Sequence, residues 1–211
     1  MLYWVLAALL GGYLIGSLHG SVVARLLTGV NLKKEGVKNS GASNAAIVLG
    51  PKFGALVAFL DISKGAVAVI ALRLVLDGTA LSPEQSWTVL FVVGAGTVLG
   101  HNYPFYMNFD GGKGTATLIG MMLALDWKLG IAGGLLLIAV SLLTDYLIIG
   151  VLALYGTLLV IAFWPAVGLW PLVTAFGLFG LALWKHTENI NRLMKGTESK
   201  VSSVFRKKTA G

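Results

Sequence analysis

Six apolar runs, residues 1–23, 53–75, 87–99, 129–143, 146–163 and 169–184, dominate this 211-residue chain, and none carries more than three charged side chains. A bilayer core needs about 20 apolar residues per spanning helix, fewer where neighbouring helices shelter it. Charged residues are only 12% of the chain, against about 25% in an ordinary soluble domain. These runs predict an all-α, polytopic integral membrane protein, folded as one transmembrane helical-bundle domain over residues 1–211. The first run lacks the basic start of a signal peptide and reads as the first span.

The basic residues set the orientation. Arg25, Lys33, Lys34, Lys38 and Lys52 lie in or beside the first hydrophilic loop, Lys113 in another, and Lys185, Arg192, Lys195, Lys200, Arg206, Lys207 and Lys208 at or after the last run. Lys and Arg are retained on the cytoplasmic side. Loops 28–52 and 101–113 and the tail 185–211 are therefore expected to be cytoplasmic, and the N-terminus outside. Seven transmembrane helices follow, near residues 2–26, 53–74, 87–100, 114–125, 129–144, 146–163 and 168–185. External turns are expected over 77–86, at Asp126-Trp127-Lys128 and at Trp164-Pro165. One long helix over 114–144 would place the basic tail outside, so the charge pattern favours two.

The chain has no cysteine, which excludes disulfides, a thiol nucleophile and thiolate metal sites. Its three histidines are too scattered to argue for a metal. The net charge of +7 flanks membrane spans instead of forming a separate basic domain. It suits anionic head groups and phosphorylated substrates better than nucleic acid.

Three polar stretches fall on the cytoplasmic side. In Asn39-Ser40-Gly41-Ala42-Ser43-Asn44, small hydroxyls and amides around a glycine suit an anion-binding turn. Equally, Ser43 or Asn44 suits the start of a short helix. In Asp110-Gly111-Gly112-Lys113-Gly114-Thr115, three glycines surround one cation just before an apolar helix. Backbone N–H groups, a helix N-terminus and a lysine would together cradle a phosphate. The spacing is not that of a Walker A loop. In the third stretch His186, Asn189 and Arg192, with Glu188 beside them, share one helical face. That face either leans over the bundle or is a solvated helix end. Asp61 and Lys64, three residues apart in an apolar run, suit a buried pair, and Asp61 could instead orient Lys113. His101 at a helix end suits a structural role or a place in the same site.

The motifs N-x-G-A-S-N (39–44), L-D-x-x-K-G (60–65), L-G-H-x-Y-P (99–104), F-x-G-G-K-G-x-A-T (109–117) and H-x-E-N-I-x-R-L-x-x-G-x-E (186–198) together resemble the bacterial acyl-phosphate:glycerol-3-phosphate acyltransferases, the PlsY family. The resemblance covers nearly the whole chain. It implies a bacterial cell-membrane enzyme with seven spans and a cytoplasmic-facing active site. Such an enzyme moves a fatty acyl group from acyl phosphate to glycerol 3-phosphate, forming lysophosphatidic acid for phospholipid synthesis without metal or cofactor. On that resemblance Lys113, His186 and Asn189 are the catalytic candidates. Lys38, Asn39, Gly41, Ser43, Asn44, Asp61, Lys64, His101, Gly111, Gly112, Gly114, Thr115, Glu188 and Arg192 are candidates for substrate binding. His186 or a substrate phosphate oxygen would serve as base. Three departures stand out: Val37 where the family carries serine, Ile47 where it carries arginine, and Asp145 in a region of arginine and small hydroxyls. They open a second reading, a weakened paralogue that binds, moves or senses lipid.

Overall fold

The structure, a computed structural model, describes residues 1–163 and 168–203. All regular structure among them is helical. The expected helix over 2–26 is instead two, α1 (Leu2–Ser17) and α2 (Gly20–Thr28), with Leu18 and His19 extended between them. A short α3 (Ala42–Leu49) lies inside the first hydrophilic loop, and α4 (Pro51–Leu76) begins with proline at its first turn, where the missing N–H costs nothing. The charged residues of α4 explain the break before α2. Lys64 Nζ donates to the Leu18 carbonyl at 2.7 Å, and Asp61 Oδ1 accepts from the Gly20 N–H at 3.3 Å. Backbone groups freed within a membrane helix need such partners.

The next helix, α5 (Pro83–Asn102), starts earlier than the expected residue 87. A capping box accounts for this: the Ser82 hydroxyl accepts from Gln85 N at 3.2 Å and Gln85 Oε1 from Ser82 N at 3.0 Å. A single 3-10 turn, Phe105–Met107, follows. Then come α6 (Thr115–Leu125) and α7 (Trp127–Thr144), separated by Asp126 alone, whose carboxylate caps α7 by accepting from Leu129 N at 3.0 Å. The two-helix reading of 114–144 thus describes the chain. The remaining helices are α8 (Leu147–Phe163), α9 (Leu169–Lys185) and α10 (Thr187–Met194). The expected turn at Trp164 and Pro165 lies outside the described residues, as do Arg206, Lys207 and Lys208.

Close backbone approach holds the bundle together. A side chain at Gly16 or Gly100 of the α1–α5 seam would strike the backbone of Thr97 or Tyr13, and one at Gly65 or Gly120 of the α4–α6 seam that of Thr117 or Ile62. Small residues at helix seams let packing and weak hydrogen bonding replace the hydrophobic drive that lipid removes. Phe91, Leu118, Met121, Met122, Leu154, Tyr155 and Leu158 fill the centre. Leu74, Leu143, Phe163 and Trp184 are instead at least two-thirds exposed, as a lipid-facing surface requires. Three segments, Leu2–Thr28, Pro51–Leu76 and Trp127–Thr144, are long and apolar enough to cross a membrane. Thr115–Leu125, Leu147–Phe163 and Leu169–Lys185 are shorter apolar helices.

Candidate active site

The glycine loop between the 3-10 turn and α6 is pinned to the end of α5. Gly111 N donates to the Asn102 carbonyl at 3.1 Å and Gly112 N to the His101 carbonyl at 3.0 Å. This corrects the expectation that these two N–H groups cradle a phosphate, because both already have partners. The glycines are needed for closeness to α5. A Cβ at Gly111 would overlap the His101 carbonyl and the Pro104 ring, and one at Gly112 the His101 imidazole. Gly114, the N-cap of α6, has φ +83°, which only glycine adopts without cost. No side chain caps α6, so its first-turn N–H groups, beginning at Thr115, and the positive end of its dipole are left to the site.

Lys113, projecting from this loop, donates to Asn189 Oδ1 on α10. Asn189 Nδ2 in turn donates to Glu198 Oε1 at 2.6 Å, and Arg192 Nε to Glu198 Oε2 at 2.7 Å. Glu198 is thereby a nearly buried carboxylate, 7% exposed, between an amide and a guanidinium. Glu188 stands off, largely exposed, 3.9 Å from Arg192. Burial lowers the Lys113 ammonium from its ordinary value, and the Arg192 charge adds to that. His186 links α9 to α10. Its Nδ1 pairs with the Ala182 carbonyl at 2.9 Å, which leaves Nε2 as an acceptor. Burial pulls this imidazole down to about 4, and the nearby Lys113 charge pulls the same way. His186 is therefore neutral near pH 7.

The first hydrophilic loop reaches this assembly through Lys33, which was not among the site candidates. Lys33 Nζ lies 2.7 Å from Asp110 Oδ1, and Lys185 stacks its ammonium 4.8 Å over the Tyr103 ring. Asn44 is the hub of its own loop. Its Nδ2 reaches the carbonyls of Leu32, Glu35 and Asn39 at 2.8, 3.0 and 2.8 Å, and its Oδ1 accepts from Val37 N at 2.9 Å. An amide so engaged orders the loop, and its buried N–H donors are already taken, which corrects its expected role as a donor to substrate. Gly41 is the N-cap of α3, so Ser43 and Asn44 lie inside the helix and do not cap it. Ser43 is exposed, Asn39 half-buried, and Lys38 is exposed with φ +54°. That φ is uncommon for a residue other than glycine. Val37 and Ile47 are exposed too.

Asp61, Lys64 and His101 form a separate buried cluster within the bundle. Lys64 Nζ is 2.9 Å from Asp61 Oδ1 and 2.8 Å from His101 Nδ1. With the Leu18 carbonyl, this fills all three lysine N–H bonds, so Lys64 cannot also bind a ligand. The alternative in which Asp61 orients Lys113 does not arise. His19, unnoticed in the sequence, stacks on His101 at 4.4 Å between centroids and pairs its Nε2 with the His101 carbonyl at 2.9 Å. His19, Asp61 and His101 bring potential ligand atoms within 4.8 Å of one another. The Lys64 ammonium already supplies the cation at that place, and a metal ion beside it would meet like charge. Since the His101 ring lies under Gly112, this cluster is a floor for the glycine loop.

Asp145 is engaged with the tail. Its carboxylate accepts from Ser202 N at 2.7 Å and Ser202 Oγ at 2.8 Å, and its carbonyl from Val201 N at 2.9 Å.

Comparison with known proteins agrees with this architecture. The family model "Glycerol-3-phosphate acyltransferase" matches residues 6–196. Glycerol-3-phosphate acyltransferase 1 of Oceanobacillus iheyensis is 41% identical over 209 residues, covering 99% of this chain and 100% of that protein. The glycerol-3-phosphate acyltransferase of Myxococcus xanthus is 38% identical, covering 91% and 97% respectively. The crystal structure of PlsY, an integral membrane glycerol 3-phosphate acyltransferase, in its glycerol 3-phosphate form superposes with a TM-score of 0.81 at 32% identity, covering 93% of this chain and 94% of that one. Its lysophosphatidic acid form gives a TM-score of 0.80 at 31% identity. On sequence and fold alike, this chain belongs to the glycerol-3-phosphate acyltransferase family.

Proposed function

We propose that this protein transfers a fatty acyl group from acyl phosphate to the 1-hydroxyl of glycerol 3-phosphate at the cytoplasmic face of a bacterial cell membrane, forming lysophosphatidic acid. The observation that carries the reading is the contact between Lys113 and Asn189. It joins the glycine loop to the polar face of α10 and gathers cations and amides beside an uncapped helix N-terminus. Seven spans, with the N-terminus outside and the tail inside, put that site at the inner leaflet, where the acyl chain can stay in lipid.

An acyl phosphate is already activated, so catalysis is mainly positioning and charge stabilisation. The glycerol hydroxyl oxygen attacks the acyl carbonyl carbon, the bond from that carbon to the phosphate oxygen breaks, and inorganic phosphate leaves. The hydroxyl proton ends on the departing phosphate, either directly or through His186 Nε2, which is neutral and able to accept it. Lys113 and the first-turn N–H groups of α6 hold negative oxygen, with Arg192 beside them. Asn189 Oδ1 directs the lysine, and Glu198 fixes both Asn189 and Arg192. No metal or organic cofactor enters these steps.

The test is product analysis on purified protein in lipid nanodiscs, with labelled glycerol 3-phosphate and either acyl phosphate or acyl-CoA. Lysophosphatidic acid and inorganic phosphate in equal amounts, from acyl phosphate only, are expected. Product from acyl-CoA alone, or none from either donor, overturns the reading.

A further inference from the structure

Asn102 is the last residue of α5 and fills the variable position of the His-x-Tyr-Pro stretch. Its backbone carbonyl receives the Gly111 N–H. Its side chain is 1% exposed, and neither Nδ2 nor Oδ1 has a hydrogen-bond partner. The amide lies against Gly114, where an added Cβ would stand 2.8 Å from Oδ1. Gly114 is the N-cap of α6, whose start carries no side-chain cap. A second buried polar atom in that first turn, Thr117 Oγ1, is also without a partner.

Burying an amide without hydrogen bonds is costly, and native chains seldom tolerate it away from functional sites. Here the unpartnered amide borders a helix N-terminus and a lysine, both suited to an anion. A leucine or valine would fill the same space without that cost. We infer that Asn102 donates its amide N–H to the phosphoryl group held at the start of α6, and so is a substrate-binding residue of this site. The inference rests on the acyltransferase reading above. Acyl phosphate and glycerol 3-phosphate both carry the group it would bind.

The experiment compares the full-length protein with Asn102→Ala and Asn102→Asp in nanodiscs. Thermal unfolding is followed with and without inorganic phosphate, and KM is measured separately for each substrate. Asn102→Ala is expected to raise KM at least about fivefold for one substrate, as for one lost hydrogen bond to a charged group. Its ligand-free Tm should hold or rise, and its stabilisation by phosphate should shrink. Asn102→Asp should bind more weakly still, because it sets a negative charge against the anion. The substrate whose KM moves identifies the phosphate concerned. Unchanged KM values, or a fall in ligand-free Tm with the phosphate response intact, overturn the inference and make the amide structural. If wild-type protein makes no lysophosphatidic acid, the acyltransferase reading fails, and the phosphate response still decides this one. Its absence in wild type, or its equal size in Asn102→Ala, overturns it.

Discussion

Lys113 and Asn189, 76 residues apart in the chain, meet side chain to side chain. That contact orders the site because Asn189 is held from behind. Glu198 takes its Nδ2 at 2.6 Å, so Oδ1 faces the lysine, and the same carboxylate takes Arg192 Nε at 2.7 Å. A nearly buried carboxylate thus organises Asn189 and Arg192 beside Lys113.

Glu198→Gln keeps the shape and removes the charge. Arg192 then loses its closest charged partner, and Asn189 is free to turn. We expect kcat/KM to fall about 10- to 100-fold, as when one partner of a hydrogen-bonded charged pair is removed. Because Glu198 raises the affinity of Lys113 for its proton, the alkaline limb of the pH profile should also shift to lower pH. Steady-state kinetics across pH checks both; an unmoved limb would separate Glu198 from Lys113.

The wild-type pH profile follows from two groups. Lys113 is lowered by burial, so its charge, and the activity, should fade on the alkaline side before an ordinary lysine would titrate. His186 is held down to about 4, so activity should persist well below pH 6.5 and fall only near 4. For stability the sign is fixed by linkage. Between the ordinary histidine value and about 4 the unfolded chain takes up the proton first, so His186 makes the fold less stable as pH falls through that window. His186→Gln should flatten this dependence in thermal unfolding scans.

Within the bundle, Lys64→Met leaves the Asp61 carboxylate facing His101 without its ammonium. Breaking a buried pair from one side costs about 3–5 kcal/mol, so the single variant should unfold at clearly lower temperature. Asp61→Asn combined with Lys64→Met should recover much of that loss. Loss of activity in the double variant at near-normal stability would reveal the pull of His101 on the glycine loop through Gly112.

Val37 and Ile47 are 53% and 44% exposed, so new polar side chains there meet no packing penalty. Val37→Ser with Ile47→Arg is expected to lower KM for glycerol 3-phosphate several-fold, since a guanidinium binds phosphate through two hydrogen bonds. Unchanged KM would mean these positions lie off the substrate path.

How much was legible in the sequence follows physical lines. Apolar run length marked the helices, and the Asp126 turn was readable from its charge. The break at Leu18–His19 was not, because its cause sits on α4, in Asp61 and Lys64. The early start of α5 was present as Ser-Pro-Glu-Gln but stood beside an apolar run that drew the boundary inward. At the site, the approach of Lys113 to the α10 face was foreseeable from chemistry. The division of labour was not. Gly111, Gly112 and Asn44 look like ligand donors by residue type, yet their groups bond to backbone carbonyls that no local pattern reveals. Glu198, His19 and Asn102 gain meaning only from partners, or their lack, across the fold.

The most direct measurement of the central claim is turnover of acyl phosphate and glycerol 3-phosphate by Lys113→Met, beside wild type in the same nanodiscs. On the proposed role of the loop cation, holding negative oxygen in the transition state, kcat/KM should fall about 100- to 1000-fold while Tm stays within a few degrees. Near-wild-type turnover by Lys113→Met would contradict a phosphate site built from the glycine loop and the α10 face.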